Sequence, residues 1–215
     1  MRLPLLCAGL LALLGLAVAQ APTPADVHLR GGRFAPLTYQ QMTPQQKAMI
    51  DHLLSGERHS TDGPFNVMLR SPEMGDLAQQ LGAYVRFHSE LPNKLKEMAI
   101  LMTGRLWTAQ FEWSAHHRAA LREGLEPPVI EAIAAGKRPG SMDADEQVIY
   151  NFVNELLYKR DVSDRAFHAA VDRFGERRVV NLIGLVGYYQ LVSMLLDVDR
   201  YPLPEGAKPE LQPLP

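Results

Sequence analysis

The spacing of apolar positions follows helical periodicity over most of the chain, interrupted by short proline- and glycine-marked breaks, and no segment reads as a run of alternating strands. Thr43-Pro44-Gln45-Gln46 supplies an N-cap, a proline at the first helical position and a capping-box glutamine, which predicts a helix to about Leu54. Ser55 to Arg70 reads as a loop, with Gly63-Pro64-Phe65-Asn66 as a packed surface turn. Ser71-Pro72-Glu73 restarts a helix to about Ser89, in which Gly75 and Gly82 either weaken the helix slightly or admit a close neighbour. From Asn93 to Glu123 the only breaker is Gly104. One long helix is therefore predicted, apolar nearly all round at Met98, Ala99, Ile100, Leu101, Met102 and Leu106, as in a central buried helix, with Gly124 as its C′ residue. A short helix from Pro127 to Gly136 and a capping box at Asp143-Ala-Asp-Glu146 precede helices over about 144–159, 163–174 and 176–197. The predicted class is all-α.

The two ends differ from this body. Arg2 followed by an apolar run to Val18, with Ala17-Val18-Ala19 as a small-x-small site, reads as a signal peptide over 1–19 cut after Ala19. The run is short for a membrane span, so a periplasmic or secreted protein with no membrane attachment after cleavage is expected. Residues 20–42, with three prolines and Gly31-Gly32, read as an extended arm before a helical domain over 43–200. Pro202 to Pro215, with five prolines, reads as a tail that either stays in solvent or crosses a neighbouring subunit.

Removing 19 of 215 residues leaves 196, enough for a sizeable core, and takes away Cys7, the single cysteine. The formal charge of −2 becomes −3 without Arg2, and with no basic stripe this gives no reason to expect a nucleic-acid partner. No phosphate loop, dinucleotide fingerprint, nucleophile elbow or metal-ligand spacing is present, so no cofactor and no metal are expected.

Candidate chemistry lies on the predicted long helix. Glu112 falls about 20° behind Arg105 around a straight helix and His116 about 20° ahead, so a cation, a carboxylate and an imidazole share one stripe. That trio suits acid/base work: Arg105 to grip a carboxylate, His116 to move a proton, Glu112 to orient the ring. A Glu–His pair at i,i+4 also occurs simply as a stabilising pair, so spacing leaves a structural reading open. His117 lies about 100° from His116 and is expected to be solvated or packed. Trp107 and Trp113 read as pocket wall, and Tyr188 or Tyr189 as a hydroxyl in the site, on a helix whose glycines are explained by close packing. Arg86 and His88, on a helix expected to pack nearby, are candidates to line the cavity.

Gly63-Pro64-Phe65, Leu81-Gly82-Ala-Tyr84-Val-Arg86-Phe87, Leu91-Pro92, Glu97-Met-Ala-Ile100-Leu, Arg105-Leu-Trp107, Glu112-Trp113-Ser-Ala-His116 and Gly184-Leu-Val-Gly187-Tyr188-Tyr189 together resemble the carboxymuconolactone decarboxylase family, whose relatives include the alkylhydroperoxidase AhpD. The resemblance covers roughly residues 60 to 200. It implies an AhpD-like helical domain with the site beside the central helix near a subunit boundary, assembled as a homo-trimer or homo-hexamer. In the peroxidase branch that helix carries Cys-x-x-Cys, whose positions fall on Ala109 and Glu112 here, so thiol peroxidase chemistry is excluded for want of a thiolate. The decarboxylase-like pattern remains. It implies a cofactor-free enzyme, a carboxy-lyase or a relative of one, acting on a small carboxylated lactone or related enolisable acid. Decarboxylation, isomerisation and lactone hydrolysis all fit the trio, and a non-catalytic ligand-binding or scaffold protein is the alternative.

Overall fold

The computed structural model describes residues 27–58 and 60–213. The expected signal segment 1–19, with Cys7, lies outside the described residues. Helices α1 (Pro44–Ser55), α2 (Phe65–Met68), α3 (Pro72–Ala83), α4 (Asn93–Trp107), α5 (Gln110–Arg122), α6 (Pro127–Ala134), α7 (Ala144–Asn154), α8 (Asp164–Phe174) and α9 (Glu176–Asp199) follow one another, and no strand occurs among the described residues. One-turn π-helices at Tyr84–His88 and Glu155–Lys159 extend α3 and α7.

Capping residues start the helices where the sequence places them. Thr43 accepts from Gln46 N–H and Asp143 from Glu146 N–H, each within a reciprocal capping box, and Ser163 accepts from Ala166 N–H. Ser71 makes no such bond. The expected surface turn at 63–66 is instead the start of α2, whose four residues are all buried.

The expected long helix from Asn93 to Glu123 is corrected to a hairpin. At Thr108 the backbone turns left-handed (φ 52°, ψ 33°), Thr108 N–H donates to Arg105 O at 3.0 Å and Ala109 N–H to Gly104 O at 2.9 Å, which is a Schellman ending. α5 then runs back along α4, and the missing side chain at Gly104 lets Glu112 Cβ come within 3.9 Å of where its Cβ would stand. α4 is the central element, buried from Leu95 to Arg105 and packed against α5, α6, α7 and α9.

Both ends are stitched onto this body. Asp199, at the end of α9 and fully buried, accepts from Gly32 N–H at 3.1 Å and Phe34 N–H at 2.7 Å. A Cβ on Gly32 would stand 2.2 Å from the Asp199 carbonyl oxygen, so the glycine there is required by close approach of two backbones. The proline-rich tail crosses its own hairpin, with most of its residues exposed. Gln110 holds it from both sides, donating to Leu211 O at 2.8 Å and accepting from Glu210 and Leu211 N–H at 3.0 and 3.1 Å. Leu211 is buried beneath it.

Candidate active site

A straight helix would hold the Cα atoms of Glu97 and His116 roughly 28 Å apart, at about 1.5 Å per residue. The hairpin brings their side chains together: His116 Nδ1 lies 2.6 Å from Glu97 Oε2. On the other side of the ring, Nε2 lies 3.4 Å from Glu112 Oε2, within ion-pair reach but without hydrogen-bond geometry. Glu112 Oε2 is buried and has no hydrogen-bond partner among the described residues. All three side chains are nearly inaccessible.

Arg86 completes the group. The π-turn at Tyr84–His88 swings its guanidinium to 3.9 Å from Glu97 Oε1, and Lys96, buried one residue before Glu97, donates to the Arg86 carbonyl and fixes that turn. The Tyr189 ring meets the His116 ring edge-on with centroids 5.0 Å apart, and Tyr188 packs edge-on against Tyr189 at 5.3 Å. Tyr188 occupies the space above Gly82, where a Cβ would stand 2.3 Å from its hydroxyl. Gly82 thus admits α9, whereas Gly187 faces open space with nothing within 4 Å, against the expectation that packing explains it.

Burial opposes a charge on His116, but the hydrogen bond with Glu97 and the Coulombic pull of Glu97 and Glu112 outweigh it and raise the imidazole above its usual 6.5. Burial likewise opposes ionisation of Glu97, and the contact with His116, helped by Arg86 and Lys96, overcomes it and holds the carboxyl below its usual value. Arg86 is raised despite desolvation, because Tyr189, Glu97 and Glu112 surround it. Burial raises the Tyr188 and Tyr189 phenols, which stay protonated donors. The arrangement is an imidazole biased toward its protonated form beside a carboxylate oxygen that has no donor among the described residues.

A cavity of about 200 Å3 opens onto Glu112 and His116. Its wall holds four arginines (Arg30, Arg58, Arg86 and Arg118) against two carboxylates, Glu112 and Asp62, with Tyr188 and Tyr189 beside them. Arg30 is tied to Asp62 at 2.9 Å, whereas Arg58 donates only to the Tyr188 hydroxyl at 3.4 Å. Four guanidinium groups against two carboxylates leave the cavity wall net cationic.

The expected residues therefore divide. Glu112, His116, Arg86, Tyr188 and Tyr189 meet at this cavity. Arg105 does not: the break at Thr108 puts it on α4, where it lines a different cavity with Tyr150 and Tyr158, so the one-stripe geometry is corrected and Arg86 holds the position foreseen for Arg105. Trp107 is 38% exposed on a shallow groove beside Gln110 and Asp197. Trp113 is core, 1% exposed, and its Nε1 donates to Glu210 at 3.2 Å, so neither tryptophan walls the site. His88 points to solvent and pairs with Glu57 at 2.6 Å. His117 meets Glu210 of the tail at 2.6 Å. Sequence reasoning missed Glu97, Arg58, Arg118 and Asp62. Glu97 alone carried a signal, as the one carboxylate of α4, set at the edge of its apolar run, where a buried charge needs a partner.

No family model matches the chain, and no curated protein matches it. Among solved structures, the fold is similar to the crystal structure of a protein of unknown function from Agrobacterium tumefaciens, for which AhpD, an antioxidant defence protein, is the suggested identity. The two share a TM-score of 0.56 at 18% identity, over 65% of this chain and 96% of that one. The chain has an AhpD-like all-helical fold.

Proposed function

We propose that the protein is a cofactor-free acid/base enzyme of the carboxymuconolactone decarboxylase type, acting on a small carboxylated lactone or related enolisable acid. One observation carries the reading: His116, set between Glu97 and Glu112, faces an arginine-rich cavity together with a Glu112 oxygen that has no hydrogen-bond donor among the described residues. Glu97 takes the orienting part first expected of Glu112, because its 2.6 Å contact fixes Nδ1 and leaves Nε2 toward the cavity side. Arg86 and Arg58 receive the anion. Departure of carbon dioxide, or removal of a proton from carbon by Glu112, leaves an electron pair as an enolate, which a guanidinium beside its oxygen stabilises. His116 then gives its proton to carbon; in decarboxylation a proton from solvent restores it, and in isomerisation the proton that Glu112 took passes back to it.

The chemistry of sulfur has no place here, since Cys7 is the single cysteine and precedes the proposed cut. Export with cleavage after Ala19 is part of the proposal, and an intact mass starting at Gln20 is its check.

The test is a screen of the purified chain against carboxylated lactones and β-keto acids, read by carbon dioxide release and ultraviolet loss. Glu112→Gln and His116→Asn should each lower kcat by about 10²- to 10⁴-fold with the circular dichroism unchanged, while Arg86→Gln mainly raises KM. Turnover at the wild-type rate in the double variant Glu112→Gln/His116→Asn rules the mechanism out and leaves a ligand-binding protein.

A further inference from the structure

We infer that the chain holds a second ligand site, for a small organic carboxylate with an apolar body, in the cavity where α4, α6 and α7 meet around Arg105. This cavity shares no lining residue with the one at His116.

Arg105 is 2% exposed. Its Nη1 donates to Thr108 Oγ1 at 3.3 Å and its Nη2 to the Gln212 carbonyl at 2.8 Å, while Nε has no hydrogen-bond partner among the described residues. Neither partner is charged, and no lining residue of the cavity is an Asp or Glu. A guanidinium taken out of water without a counter-charge is costly. Burial accordingly pulls Arg105 below its ordinary value, with only the Tyr158 phenol acting against it. Lys137, exposed on the rim, adds a second cation. Two positive groups and no negative one describe a seat for an anion.

The rest of the wall narrows the choice. Tyr150, Tyr158 and Asn154 offer neutral polar groups, and Met102 and Ile133 offer an apolar floor. At about 130 Å3 the cavity is close to the roughly 150 Å3 that accommodates a benzene ring. An inorganic anion would leave that floor uncovered, whereas a carboxylate on a ring or short branched chain covers it. The second π-turn, Glu155–Lys159, places Tyr158 on this wall as the first places Arg86 on the other, and each is followed by a left-handed non-glycine residue, Arg160 (φ 58°) and Glu90 (φ 61°) respectively. Turns of this kind persist mainly where function holds them.

Calorimetric titration of benzoate, benzamide and inorganic phosphate into the full chain tests the assignment, with Arg58→Gln/Arg86→Gln as background to remove both guanidinium groups that receive the anion in the first cavity. Benzoate should bind at one per chain, with neutral benzamide and phosphate each weaker by about tenfold or more, the worth of one charge-assisted contact. Lys137→Glu, at an exposed position that leaves folding intact, should weaken benzoate by a similar factor, and Arg105→Met should abolish binding. Absence of benzoate binding, equal binding of benzamide, or unchanged affinity in Lys137→Glu overturns the site. Tighter binding of phosphate than of benzoate overturns the carboxylate assignment.

Discussion

His116 shows how two neighbours reverse the effect that burial alone has on a histidine. Its raised pKa means that its stabilising contribution is complete below about 6.5 and is lost as pH climbs through the folded value. Glu97 is lowered from 4.5, so its contribution is complete above that value and is lost as pH falls through the depressed one. Between those limits both charges stand. The melting temperature of the wild type should therefore be higher at pH 5.5 than at pH 8.5. Glu97→Gln should cost about 3–5 kcal/mol at pH 5.5, because one member of a buried pair is removed, and should shrink the difference between the two pH values. An equal alkaline loss in the variant and the wild type would show that His116 is not held charged by Glu97.

At the scale of the element, the same helix ending recurs with different residues. Gly124 and Gly136 close α5 and α6 with Schellman bonds at positive φ, and the sequence announces both through glycine. Thr108 closes α4 with the same bonds, yet a β-branched residue there carries no such signal, and the apolar surround of α4 offers no phase from which a reversal could be read. The caps at Thr43, Asp143 and Ser163 were legible because their side chains do the capping. The π-turns were not: one extra residue per turn leaves a continuous helical pattern while rotating every later side chain about the axis, which is why Arg86 enters the cavity and His88 leaves it. Half of the site was legible for the same reason. Glu112 and His116 are neighbours within α5, whereas Glu97 joins them only through a break that the pattern hides. Left-handed backbone costs a non-glycine residue about 1–2 kcal/mol, and the Thr108 hydroxyl returns only the long 3.3 Å contact with Arg105. Thr108→Gly should raise stability by about 1 kcal/mol in urea unfolding; a loss of stability would mean that the Arg105 contact outweighs the strain.

Over the whole molecule, α3 and α9, which touch each other, carry several of the exposed large apolar side chains. Met74, Leu77 and Leu81 recur at helical spacing on α3, and Val180, Ile183 and Met194 on α9, with Leu77 71% and Val180 64% exposed. Apolar groups grouped in this way mark an interface, and we propose that copies of the chain meet here in the trimer or hexamer that the family resemblance implies. Leu77→Glu combined with Val180→Glu should bring the mass in light scattering down to that of one chain with helical content retained. An unchanged assembly mass would place the interface elsewhere.

Asp199 closes contacts with Gly32 and Phe34 across 167 and 165 positions of the chain, and the bonds that seat the tail on the hairpin span 107 and 101 positions. In a polypeptide made from its amino end, these partners meet only after nearly all of it has been synthesised. Separations of that size slow folding, since loop closure comes before any contact rewards it. A newborn chain thus completes these closures only at the very end of its synthesis.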